Sequence, residues 1–330
     1  MRELMHYAPL FSALATCALT FILATGKAGI IVQDIPNERS LHDKPVPRSG
    51  GIALMAGMLC GWALVMQPWV WWIVIPVLGL FALSLLDDLH GLSAGMRLAG
   101  HFIAALAAIS GAGVPLLWFV PVLLFIVWMT NLYNFMDGSD GLAGGMALLG
   151  FGGYGIGAWL AGDQEFALLN FSVAAAAAGF LLFNFHPARI FMGDSGSIPL
   201  GFLAATLGVS GWLAGYWPLW FPLLAFSPFV ADATVTLLKR AQRGEKLAQA
   251  HRSHYYQRLI QMGWGHRNTA LAEYVLMLLA SVSALCGMSL SNAAQGYLLL
   301  AWVIVYLAIM WRIDRYWQQF SGGKITDVQA

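Results

Sequence analysis

Apolar runs of about twenty residues alternate with short polar breaks along nearly the whole chain. A helix crossing the hydrocarbon core needs about 20 apolar residues, with a working range of about 17–25. On that measure the spans fall near 7–26, 50–67, 69–86, 95–111, 115–130, 142–161, 166–185, 197–214, 217–238, 270–289 and 294–311. The pattern predicts an all-α polytopic membrane protein of 10–11 transmembrane helices, forming one integral-membrane domain over 1–330. The second and third runs are nearly continuous, and Pro68 between them fits a tight turn. Many spans carry Gly and Ala, which let helices approach closely.

The polar breaks are not alike. If the loop 27–49 faces the cytoplasm and the spans alternate from there, every one of the 17 Lys and Arg except Arg2 falls on or beside that side. This satisfies the positive-inside rule and predicts the N-terminus outside and the tail 312–330 inside. The cytoplasmic loops are then 27–49, 87–95, 131–141, 186–196 and 239–268. Asp87, Asp88, Asp137, Asp140 and Asp194 reach the same face, as do His42, His90, His186, His251, His254 and His266. The outer connections are short and bland. A two-sided carrier needs polar groups deep in the membrane and access from both faces, so the distribution argues for chemistry on one face.

Composition agrees. Hydrophobic residues make up 59% of the 330 and charged residues 10%, which no soluble domain of this length resembles. The first run is expected to be a retained span. A net charge of +1 argues against nucleic acid as a partner. Cys17, Cys60 and Cys286 lie scattered in apolar runs, without pairing or metal spacing.

The chain centres on 131–142, NLYNFMDGSDGL, between two apolar runs. Asn131, Asn134, Asp137 and Asp140 crowd there, with Gly138 and Gly141 relaxing the backbone beside the acids. Polar groups at the mouth of a span are costly and point to function; a capped turn is the plainer reading. The first loop places Lys44 and Arg48 around two prolines, ahead of Ser49-Gly50-Gly51. Cations beside a small-residue helix start suit a phosphate. Asp87 and Asp88 end an apolar span, where the helix dipole disfavours negative charge; a nearby metal or cationic partner, or one acid acting as a base, would account for them, and a solvated helix end is the plainer reading. Arg97 and His101 follow at helical spacing. Asp194 is bracketed by Gly193 and Gly196 in FNFHPARIFMGDSGS, at a helix start. His251, Arg252 and His254, with Arg258 beyond, suit a cationic grip on a pyrophosphate better than a zinc site, with a basic surface loop as the plainer reading. Asp232 is an intramembrane acid read equally as a bundle pair or a substrate contact. Five carboxylates, two cationic loops and glycine-bracketed turns on one face indicate Mg²⁺ and phosphate chemistry, and a site at the membrane surface implies a lipid substrate. The absence of a Walker lysine loop argues against a nucleoside triphosphatase.

KPVPRSGGI, LLDDLHG, NLYNFMDGSDGLAGG, FNFHPARIFMGDSGS and HRSHYYQRL, in this order, resemble the polyprenyl-phosphate N-acetylhexosamine-1-phosphate transferase superfamily over about 34–258. The resemblance implies transfer of a sugar-1-phosphate from a UDP-N-acetylhexosamine to a polyprenyl phosphate such as undecaprenyl phosphate. It implies Mg²⁺, with Mn²⁺ as substitute, release of UMP, and a homodimer in a bacterial inner membrane with the site facing the cytoplasm. By motif, Asp87 and Asp88 match the acidic pair that handles the lipid phosphate. Asp194 matches the principal Mg²⁺ ligand, and Asp140 a neighbouring metal or pyrophosphate residue. Asn184 matches the uridine-contacting asparagine and Lys44 the first-loop lysine. His251, Arg252 and His254 match the final histidine-rich loop. That loop departs from the three-histidine form of the muramoyl-pentapeptide enzymes and is similar to the branch that starts O-antigen and related surface glycans. The alternatives are a phospho-N-acetylmuramoyl-pentapeptide transferase and a lipid or solute carrier on the same fold.

Overall fold

The structure, a computed structural model, describes residues 2–25, 33–34, 45–66, 70–247, 249 and 251–327, with side chains to Ser321. The expected turn at Gln67 and Pro68 and the first-loop Lys44 lie outside the described residues. In chain order the elements are α1 (Arg2–Met5), α2 (Ala8–Ala24), β1 (Gln33–Asp34), β2 (Val46–Pro47), α3 (Gly50–Val65), α4 (Trp71–His90) and α5 (Ala94–Ala112). There follow α6 (Leu116–Phe135), α7 (Leu142–Leu160), α8 (Gln164–Asn184), α9 (Asp194–Leu213), α10 (Trp220–Ala225) and α11 (Ser227–Gln242). After α12 (Tyr255–Leu259) comes a π-helical turn, Ile260–Trp264, then α13 (Gly265–Gly287) and α14 (Asn292–Asp327). The protein is all-α and polytopic. Among the described residues seven helices are long and apolar enough to cross a membrane, and α2 and α3 are shorter apolar helices.

The predicted spans map onto helices in order, with five corrections to spans, loops and tail. The span 217–238 is two helices, broken at Phe226. Pro228 has no N–H to give the Leu224 carbonyl four residues back, and the Ser227 hydroxyl donates to that carbonyl instead, at 2.7 Å. The loop 87–95 is mostly helix, because α4 continues through both aspartates until Gly91 ends it at φ 67°. The loop 131–141 begins as the last turn of α6, so Asn131 and Asn134 are helical. The loop 239–268 is helical at both ends, and the tail from 312 continues α14 to Asp327. At 36 residues, α14 is about 54 Å long, well over the bilayer core of about 30 Å.

Helix α9 is the centre of the bundle. Of its most apolar window 83% is buried, against 6% for α14, which lies on the periphery. It packs against α4 and α6, while α2, α3, α7 and α8 form the layer beside it. Ser12 and Thr16 of α2 meet Gly57 and Gly61 of α3, a small-residue contact of the kind that associates helices in lipid. The end of this packing at the start of α9 is a backbone lattice. Phe191 N–H donates to the Pro47 carbonyl at 2.7 Å, and Gly50 and Gly51 N–H donate to the Phe191 and Met192 carbonyls at 2.9 and 2.8 Å. The start of α3 is thereby fixed to the start of α9.

Gly51 makes that joint possible, since a Cβ there would lie 2.3 Å from Gly196 N and 2.7 Å from the Ser195 carbonyl carbon. Both neighbours are backbone and cannot swing away, so Gly51→Ala should cost about 1–3 kcal/mol. Thermal unfolding in detergent should show a lowered midpoint, whereas Gly79→Ala, with open space at its Cβ, should leave the midpoint unchanged or slightly raised.

Candidate active site

Four chain ends meet at the head of α9. Asp194 is its first residue, where the helix dipole favours a carboxylate. Gly193 before it has φ 72°, and a Cβ there would meet the Arg48 carbonyl at 2.9 Å. Arg48 pairs with Asp194 Oδ1 and lies 3.5 Å from Asp88 Oδ1. Arg97, from α5, pairs with Asp87 Oδ2 at 3.1 Å and approaches Asp194 Oδ2 at 3.7 Å. The acids at the end of α4 thus gain what the dipole denies them. Asp87 also accepts the Leu92 N–H at 2.6 Å, and Asp88 accepts the Ser195 N–H at 3.4 Å. Asn134 reaches Asp194 Oδ2 at 3.5 Å and accepts the Ser197 hydroxyl at 2.8 Å. Burial works against the Arg48 charge, but Asp194 and then Asp88 more than offset it and hold the guanidinium protonated more firmly than usual.

Asp137 belongs to the same centre. Removal from water pushes its carboxyl well above the usual range; Arg48 opposes this, and Asp194 and Asp88 add to it. Four carboxylates, Asp87, Asp88, Asp137 and Asp194, therefore face two guanidinium groups, Arg48 and Arg97. Such an excess suits a divalent cation. Among the described residues no three His, Cys, Asp or Glu side chains form a cage for one. Magnesium needs none, because it takes one or two carboxylates and completes its shell with water and substrate phosphate. Asp194 fits that mode.

Asp140 sits in a different set of contacts. It accepts from His186 Nδ1 at 2.6 Å and from the Ala188 N–H at 3.1 Å, and His266 Nδ1 is 3.8 Å away. The His186 and His266 rings stack at 5.7 Å. None of these partners is shared with Asp87, Asp88 or Asp194. Asn184 is buried with its amide committed to backbone, accepting the Gly141 N–H at 3.1 Å and donating to the Ile190 carbonyl at 2.9 Å. It ties the central loop to the strand of chain before α9.

The final basic loop is pinned to the bundle by Asp232. This acid, 4% exposed, accepts from His254 Nδ1 at 3.1 Å, the Tyr255 and Tyr256 N–H groups at 3.0 Å each, and the Thr236 hydroxyl at 3.0 Å. It caps α12 and fixes the His254 tautomer, leaving Nε2 to accept. His251 lies against His254 at 4.9 Å, with Ser253 on its Nδ1. Arg252 is exposed. Arg258 turns the other way, to Asp314 of α14 at 2.8 Å; Lys239 pairs with the same acid. Between α5, α6, α9 and this loop lies a pocket of about 380 Å³, lined by Arg97, His101, Asn131, Asn134, His254 and Gln257 among others.

Of the residues singled out in the sequence, the structure brings Asp87, Asp88, Asp137, Asp194, Arg48 and Asn134 into one centre and puts His251, His254 and Asn131 on the pocket beside it, while Asp140, Asn184 and Arg252 lie apart. It left out of the site Arg97, a lone cation at a helix start four residues before His101, and the Asp232 anchor. His186 and His266 carried no signal beyond their side of the membrane.

Asp232→Ala would strand His254 and two amides, at a cost of about 3–5 kcal/mol. A lower thermal midpoint together with reduced activity is expected, with Asp232→Asn retaining more of both. A pH effect is expected at His251, whose pKa burial lowers to about 4, with His254 and Arg240 adding to the shift. Its neutral form is favoured in the fold, so its contribution is full above the ordinary value of about 6.5 and is lost as pH falls towards 4. Thermal midpoints at pH 7.5 and 5 should differ less in His251→Gln than in the unaltered protein.

Residues 70–211 match the family model described as Glycosyl transferase family 4. A Bacillus subtilis protein named "Probable undecaprenyl-phosphate N-acetylglucosaminyl 1-phosphate transferase" is 30% identical over 272 residues, 76% of each chain. The Mycolicibacterium smegmatis "Decaprenyl-phosphate N-acetylglucosaminephosphotransferase" is 30% identical over 314 residues, covering 79% of this chain and 77% of that one. The Chlorobium phaeobacteroides "Phospho-N-acetylmuramoyl-pentapeptide-transferase" is 27% identical over 318 residues, 79% and 84% of the two chains. The motifs, the arginine-bridged acids at a membrane-helix end and these relatives agree: the chain belongs to the polyprenyl-phosphate N-acetylhexosamine-1-phosphate transferase superfamily, glycosyl transferase family 4.

Proposed function

We propose that this protein transfers an N-acetylhexosamine-1-phosphate from a UDP-sugar to undecaprenyl or another polyprenyl phosphate, releasing UMP. The reaction is placed on the cytoplasmic face of a bacterial inner membrane, as the first step of an O-antigen or similar surface glycan. A homodimer is part of the same reading, by resemblance. The observation that carries the proposal is the convergence of Arg48 and Arg97 on Asp194, with Asp87, Asp88 and Asp137 around them. The form of the final loop, HRSH, supports a surface-glycan role over a peptidoglycan one.

In this reaction an oxygen of the lipid phosphate bonds to the donor's β-phosphorus. The bond from that phosphorus to the bridging oxygen breaks, and UMP leaves with the electron pair. Two anions must be brought together, so charge neutralisation and alignment dominate the barrier. Asp194 and its carboxylate neighbours would hold Mg²⁺, which supplies charge neutralisation at the pyrophosphate. Arg48 and Arg97 each have N–H groups beyond their carboxylate pairs and bind phosphate oxygens. Asp88 and Asp87, at the membrane-helix end, orient the cations towards an acceptor arriving from the lipid. Asn134, fixed by Ser197, adds a neutral donor.

The test is UMP release and lipid-product formation by purified protein with undecaprenyl phosphate, Mg²⁺ and each of UDP-GlcNAc, UDP-GalNAc and UDP-MurNAc-pentapeptide. Transfer from an N-acetylhexosamine donor, abolished by EDTA, is expected. Asp194→Asn should lose about 100-fold or more while unfolding at a similar temperature. Transfer from the pentapeptide donor alone would move the protein to peptidoglycan synthesis. No UMP from any donor, with folded protein, would favour a carrier.

A further inference from the structure

The pocket between α5, α6, α9 and the basic loop contains a group that nothing so far explains. His101 is 4% exposed, and neither ring nitrogen has a hydrogen-bond partner. The Asn131 side chain comes close enough to interact with the ring but not in good hydrogen-bond geometry, and Arg97 is the nearby charge. A buried imidazole without a partner is costly, and the others on this wall have found one. Asn131 Nδ2 donates to the Val127 carbonyl at 2.7 Å, Asn134 is held by Ser197, Gln257 accepts the His254 N–H at 3.2 Å, and His254 Nδ1 is taken by Asp232. Among the described residues lining the cavity, His101 is the buried side chain left without a well-formed hydrogen bond at either ring nitrogen.

Its place along α5 says what should reach it. Arg97 stands four residues earlier, on the same helix face, and its guanidinium lies on Asp87 and Asp194. The occupant is therefore attached to the phosphate that these groups hold. The lining is mixed, with Leu98, Phe135, Ile198 and Leu247 beside the polar groups, and an isoprenoid chain would leave Arg97, His101, Asn131 and Gln257 facing hydrocarbon. A nucleobase wants an open aromatic face, whereas here Phe135 and His254 are stacked on each other at 6.4 Å and His251 lies over His254. A sugar fits both the polarity and the volume of about 380 Å³. A neutral imidazole offers one N–H and one lone pair, the counterparts of the C=O and N–H of an acetamido group.

We infer that His101 is a specificity-determining residue, which hydrogen-bonds the acetamido substituent of the donor's hexosamine in this pocket. The inference rests on the proposed transfer reaction and names the part of the donor that the pocket reads. A site built to pair a polar substituent rejects the analogue lacking it, because its own groups are then left unpaired.

The test compares kcat/KM for UDP-GlcNAc and UDP-glucose in the unaltered protein and in His101→Phe and His101→Asn, with the inhibition constant of UMP measured in each. The ratio of the two donors does not depend on how much protein is folded. A fall of about tenfold or more in the acetamido preference in His101→Phe is expected. His101→Asn should retain part of the preference, and UMP inhibition should be unchanged. An unchanged ratio in an active variant would overturn the inference while leaving the transfer reaction standing. A weakened UMP inhibition with an unchanged ratio would assign the pocket to the nucleoside and overturn it too. Absence of UMP release from every donor in the unaltered protein would overturn the transfer reaction itself, and the inference with it.

Discussion

Arg48 between Asp194 and Asp88 is the contact on which the rest of the site depends. It joins positions 146 residues apart in the chain. The pair alone would be a weak reason for stability, because removing charges from water costs about as much as their attraction returns. Its geometry comes from below. The N–H groups of Gly50, Gly51 and Phe191 bond carbonyls across the two segments, and glycines at 51 and 193 let the backbones touch. The charges therefore meet at positions that uncharged backbone has already set. A pre-set arrangement of this kind is what stabilises developing charge without reorganisation.

The second constraint is Asp232. A loop rich in cations would drift from the bundle on its charges alone, since surface pairs hold little. A buried carboxylate that accepts four hydrogen bonds from the end of that loop and from its own helix changes this. It ties α12 to α11, while Asp314 of the outermost helix holds Arg258 and Lys239. The pocket wall formed by His254 is as well placed as the helices below it. The break at Phe226 serves the same end, since it starts α11 afresh above Pro228 and delivers Asp232 to the base of the loop.

Much of this was legible along the chain. The apolar runs fall on helices in order, 217–238 on two of them, because lipid demands length and apolarity, which a sequence displays openly. The acids at the span ends stood out because a charge beside hydrocarbon is rare and costly. Asp87, Asp88, Asp137 and Asp194 were found in this way, and the order of the motifs indicated the family. Helix boundaries were less visible. α4 runs past Asp87 and Asp88, and α6 past Asn131 and Asn134, because helices continue until a residue such as Gly91 turns them, whatever the polarity.

What the sequence determined by itself is the membrane architecture, the family and the set of acidic residues, each of which depends on local composition and order. Partnership was decided only by tertiary structure. Nothing in the spacing distinguishes Asp140, which goes to His186 and His266, from Asp137, three residues earlier, which lies in the field of Arg48, Asp194 and Asp88. Asn184, a ligand contact by resemblance, also ties two backbone segments together, which only the fold displays. His101 reads as a polar residue inside a helix, and its empty hydrogen-bonding positions appear only once α6, α9 and the last loop close around it. The reason is geometric. Hydrogen bonds and ion pairs are decided over about 3 Å between segments far apart in the chain, whereas burial in lipid is decided over about twenty consecutive residues.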